Sequence, residues 1–110
     1  MATAVKRKLS GSTDGMPIKV VATATAGTTI HTCPAGTTDG SYDEIWLYAY
    51  NGDTVARTLT IEYGGATVPD QNIIISLAPK AGLSLIVPGL LLQNALVVKA
   101  FASAANVRCV

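Results

Sequence analysis

The chain has 110 residues, enough for one domain around one core. Charged residues make up only 14%, against about 25% in an ordinary soluble domain, while hydrophobic residues make up 49%. The formal net charge of +1 excludes a partner recognised by bulk charge, whether nucleic acid or acidic membrane. A surface so poor in ions predicts burial against other protein, in an oligomer or a lattice.

Residues 1–15 read as a loosely ordered arm, and residues 16–110 as the folded domain. The arm holds three of the eight bases (Lys6, Arg7 and Lys8) and one acid, Asp14, so the body is close to neutral. Fully extended, it reaches about 50 Å. Two readings stand: an arm lying across a neighbouring subunit, with Lys6, Arg7, Lys8 and Leu9 as its contacts, or a solvated tail. One three-residue basic run is thin support for nucleic-acid binding. The N-terminus lacks the apolar region of a signal peptide. The most apolar window, Leu83–Leu92, falls short of the roughly 20 residues that span a bilayer. A soluble protein made in a cytoplasm is expected, with Cys33 and Cys109 as free thiols rather than a disulfide.

Ile18–Ala26 predicts a first strand, broken by Gly27, and Thr28–Cys33 a second, ended by Pro34-Ala35-Gly36. Thr37–Tyr42 is a loop. Asp43–Tyr63 reads as a β-hairpin, with two runs of alternating side chains joined by a tight turn at Asn51-Gly52, where both residues tolerate positive φ. In its first run Trp46, Tyr48 and Tyr50 share a face with Glu44, and Ile45, Leu47 and Ala49 take the other. In its second, Leu59, Ile61 and Tyr63 oppose Thr58, Thr60 and Glu62. Ile73–Leu77, with three consecutive Ile, predicts a strand buried on both faces or at an interface. Leu83–Val87 is a strand interrupted at Pro88-Gly89, where a bulge or sheet edge is expected. Leu90–Leu92 is a short strand or a turn before Gln93-Asn94. Leu96–Ala102 and Asn106–Val110 complete the set. About eight short strands spaced near ten residues, with no long helix, predict an all-β antiparallel sandwich or jelly roll.

Catalytic patterns are sparse. His31 is the single histidine. It shares a strand face with Cys33, and Cys109 is a third soft ligand that could join them. Structural zinc normally takes four ligands in closer pairs, so no metal or other cofactor is expected. None of Ser10, Ser41, Ser76, Ser84 or Ser103 sits in a nucleophile elbow. Asp43 and Glu44 are adjacent in a strand and point to opposite faces, so they are not an acid–base pair. Gly64-Gly65 has no following lysine or helix and is not a phosphate loop. No enzymatic activity is expected. Trp46, Tyr48 and Tyr50 form a row with neighbours about 6.6 to 6.8 Å apart. Such a row fills a core or a subunit interface, or else stacks on sugar rings.

Several stretches carry a resemblance. The basic arm KRKLSGSTDG, the threonine-rich VVATATAGTTIHT, the turn and strand TTDGSYDEIWLYAYN, the segment LTIEYGG and the late stretch PGLLLQNALVVKAFA together resemble small β-sandwich virion proteins of tailed bacteriophages. They are most like head decoration, or capsid cement, proteins. The resemblance implies a non-enzymatic protein on the capsid surface of the virion, often a homotrimer, with the major capsid protein as partner and no nucleic acid or membrane. It also implies that DEIWLYAYN is a core strand. Another virion part (tail, fibre or head–tail joining component) and a glycan-binding β-sandwich are the alternatives.

Overall fold

The computed structural model describes residues 8–38, 42–65, 67, 70–80, 82–104 and 107–110. Among them are eight strands and no helix: β1 (Ile18–Lys19), β2 (Thr28–Thr32), β3 (Tyr42–Asn51), β4 (Arg57–Tyr63), β5 (Asn72–Leu77), β6 (Ser84–Gln93), β7 (Val97–Ala102) and β8 (Val107–Cys109). They form two antiparallel four-stranded sheets. Sheet A has the order β1-β8-β3-β6 and sheet B the order β2-β7-β4-β5. The expected all-β sandwich is therefore what the chain forms.

The core follows from period-two alternation. Ile45, Leu47 and Ala49 of β3 are buried, as are Val98, Ala100 and Ala102 of β7, while the residues between them are not. With Ile30, Leu59, Ile61, Val87 and Val107, these side chains form one cluster drawn from both sheets. Each fully buried Val, Leu or Ile contributes about 1.5–3 kcal/mol.

The hairpin expected at Asn51-Gly52 is not there. β3 lies in sheet A and β4 in sheet B, so the segment between them carries the chain from one layer to the other. Neither Asn51 nor Gly52 takes a positive φ. Instead the Asn51 side chain turns inward and is 2% exposed. Its Nδ2 donates to the carbonyls of Val55 (2.9 Å) and Leu77 (3.1 Å), and its Oδ1 accepts from the Asp53 amide (2.9 Å). The Asp53 carboxylate accepts in turn from Arg57 Nε at 2.8 Å. A corner that satisfies a buried asparagine replaces the tight turn.

Three other expectations shift. The first strand shrinks to Ile18–Lys19. The Val20 amide still donates to Val107 in sheet A, but the Ala22 carbonyl accepts from Ala102 in sheet B, so this stretch also changes layers. β5 is an outer strand of sheet B and is not buried on both faces within this chain, since Ile74 is 61% exposed. β6 runs unbroken through Pro88-Gly89 to Gln93, and the register against β3 shifts between Ile45 and Trp46. That shift, on an edge strand, is the irregularity that Pro88 predicts.

Candidate functional site

Three features carry chemistry: the segment before β1, the outer face of sheet A, and a polar cluster at one end of the sandwich. The arm is not loose where it is described. Lys6 and Arg7 lie outside the described residues, and Lys8 is exposed. Leu9 is partly buried and packs against the core. The Gly11 amide donates to the Ile30 carbonyl at 2.9 Å, and the Thr32 amide donates to Ser10 Oγ at 2.7 Å. The segment thus covers the outer edge of β2. A side chain at position 11 would sit 2.6 Å from the Thr29 carbonyl oxygen, so only glycine allows this approach.

Trp46, Tyr48 and Tyr50 lie outside the core. Trp46 is 51% exposed and the two tyrosines are half-buried, while Ile45, Leu47 and Ala49 face inward. The core placement implied for DEIWLYAYN holds for one face only. Register sets Trp46 beside Pro88, Tyr48 beside Leu85 and Glu44 beside Leu91 on the same surface. Tyr50 pairs with Arg108, which pairs with Lys19. The result is an apolar strip over β3 and β6, bounded by two cations on one side and by Glu44 at its end. Trp46 is held in place. Its indole N–H donates to Glu44 Oε1 at 3.2 Å, and its ring lies against Gly89, where a Cβ would fall 2.8 Å from the ring. Gly89 has a φ of 82°, which glycine adopts without strain.

The polar cluster joins the two sheets. His31 of β2 and Asp43 of β3 meet at 2.7 Å between Nε2 and Oδ2. His31 Nδ1 accepts from the Ser10 amide at 2.9 Å. A backbone amide can only donate, so Nδ1 carries no proton and the ring proton sits on Nε2, given to Asp43. Cys33 completes the group: the imidazole nitrogen, the thiol sulfur and a carboxylate oxygen all lie within 4.8 Å of one another. Burial, and then the Asp43 charge, push the Cys33 thiol up to about 11. It is a thiol at neutral pH, and both ring nitrogens of His31 are engaged elsewhere, so the trio as arranged does not activate a sulfur nucleophile. Tyr63 borders the same end. Its phenol is pushed up to about 12 by burial and by Cys33, and its buried hydroxyl has no hydrogen-bond partner among the described residues. Cys109 is not part of the group. Both cysteines are free and buried.

Sequence reasoning missed Asp43 as the neighbour of His31, because the two lie on different sheets. Alternation set Glu62 on one strand face with Thr58 and Thr60, without saying that this residue would be buried. Glu62 is 2% exposed, and its Oε1 accepts from the Gly27 amide at 2.6 Å, so the loop before β2 covers it. No described helix is long and apolar enough to cross a membrane. No protein-family model, curated protein or solved structure matches the chain.

Proposed function

We propose that the chain is a non-enzymatic structural protein of a phage particle: a head decoration protein that binds the outside of the assembled shell as a homotrimer and clamps neighbouring major capsid subunits. The resemblance described above supports the phage setting. The observation that carries the reading is the outer face of sheet A, where Trp46, Tyr48, Leu85 and Pro88 form an apolar strip edged by Lys19, Arg108 and Glu44. An apolar centre with a charged rim is the anatomy of a protein–protein interface. Fixing Trp46 against Gly89 lowers the entropy lost when a partner covers it.

The test is to add the chain to emptied heads of its own phage that lack it. Saturable binding that raises the melting temperature of the heads is expected. Trp46→Ala should weaken binding by about tenfold or more while leaving the fold intact, because the ring sits outside the core. No binding, or binding indifferent to Trp46→Ala, overturns the reading. Rings or tubes formed without heads would instead favour a tail or joining component.

The exposure of Trp46 favours one second reading, stacking on a sugar ring. Against it, Leu85, Pro88 and Leu91 surround the row with aliphatic groups, and the indole N–H is already given to Glu44. Quenching of Trp46 fluorescence by a member of a broad glycan panel would favour this alternative.

A further inference from the structure

We propose that His31, Cys33 and Asp43 form a binding site for a divalent transition-metal ion of the zinc type, in competition with the segment docked at Ser10. The inference is independent of the particle role proposed above. Its donor set is one imidazole nitrogen, one sulfur and one carboxylate oxygen, mutually within 4.8 Å. Thiolate and imidazole select zinc, cobalt or copper over magnesium and calcium, which require a shell of oxygens. Two of the donors come from β2 and the residue after it, and the third from β3 in the opposite sheet, so the geometry is set by the fold. The Asp43 side chain is 23% exposed and gives the ion a way in.

A second observation points to the same place. The Tyr63 hydroxyl is buried near Cys33 and has no hydrogen-bond partner among the described residues. Three protein ligands leave the fourth position of a tetrahedral ion open. A buried phenol without a described partner is a polar group that a bound ion or its water would satisfy.

Binding has a defined proton balance. The Cys33 thiol loses its proton to solvent, and sulfur coordinates as thiolate. Coordination through His31 Nε2 requires the ring proton to leave that nitrogen. The neutral ring then carries it on Nδ1, which can no longer accept from the Ser10 amide. Metal and Ser10 therefore compete for one imidazole, and loading the site frees the Ser10 amide.

The experiment titrates the full-length protein with cobalt(II), with zinc(II) as competitor, and follows the sulfur-to-cobalt charge-transfer band. One ion per chain is expected, with a tetrahedral visible spectrum that zinc abolishes. Cys33→Ser should remove the band while the β-type circular dichroism remains. If that variant does not fold, Asp43→Asn serves in its place, since the amide oxygen it introduces would still accept from His31. It should keep the band and weaken cobalt binding by about tenfold or more. On the wild-type protein, zinc should speed hydrogen exchange of the Ser10 amide by about tenfold, the loss of one hydrogen bond. Absence of the band at excess cobalt, a band that survives Cys33→Ser, or cobalt affinity unchanged in Asp43→Asn overturns the site. Unchanged Ser10 exchange in the metal-loaded protein overturns the competition.

Discussion

Asn51 shows how a single side chain redirects the chain. Asparagine followed by glycine signals a hairpin because both residues tolerate left-handed backbone. Here the asparagine is used for its amide, which bonds the Val55 and Leu77 carbonyls from inside the protein. Local pattern cannot separate these uses, because Leu77 lies 26 residues away. Asn51→Ala leaves that carbonyl unpaired in the core and should cost about 2–4 kcal/mol, read from urea unfolding with an unchanged m-value. A cost below about 0.5 kcal/mol, typical of a surface substitution, would show that the corner does not depend on the amide. His31 and Cys33 were legible as a pair from their spacing. Asp43 was not, since only the packing of β3 against the end of β2 brings it there.

At the scale of the element, β3 was the most legible stretch, yet its orientation was not assigned. Alternation says that two faces exist and not which one is inside. Both faces carry large apolar groups, but Glu44 shares the aromatic side, and a charge at the strand's start marks the wet face. That signal was present in the sequence and was outweighed by the size of the aromatic rings. β6 shows the reverse: Pro88 announced an irregularity, and the strand absorbed it as a register shift at Gly89. Gly89→Ala places a methyl group against the Trp46 ring and strains a left-handed residue. It should cost about 1–2 kcal/mol and shift the emission of Trp46, the single tryptophan, to longer wavelength as the ring is pushed into solvent. Unchanged emission would mean that the ring does not rest on the bulge.

For the whole molecule, the sandwich class was legible from eight short runs and their spacing. The assignment of strands to sheets was not, because it depends on where the chain crosses between layers. Crossings at Val20–Ala22 and after Asn51 leave no mark on alternation. The core also sets how stability responds to alkali. Burial pushes the Cys109 thiol from 9.0 to about 12. The unfolded chain loses this proton near pH 9 and the folded chain keeps it, so between these values the unfolded state binds fewer protons and stability falls as pH rises. The contribution is fully present below about pH 9 and is lost as pH climbs through about 12. Unfolding free energy measured from about pH 7 to about 10.5 should decline above about 9, and Cys109→Ala should flatten that decline. An identical slope in the variant would assign the loss to other groups.

The covering of β2 by residues 9–11 bears on what happens when these molecules are crowded together. Of the four outer strands, β2 is sealed by its own chain, β1 is two residues long, and β6 carries a proline and an irregular register. That leaves β5, whose six residues NIIISL contain no charge and no proline and whose pairing with β4 is regular. This is the composition of a fibril-forming segment, presented on a rim that no described strand pairs with. Concentrated samples warmed toward the unfolding midpoint should seed amyloid from this stretch, and Ile74→Lys should lengthen the thioflavin lag while sparing the melting temperature.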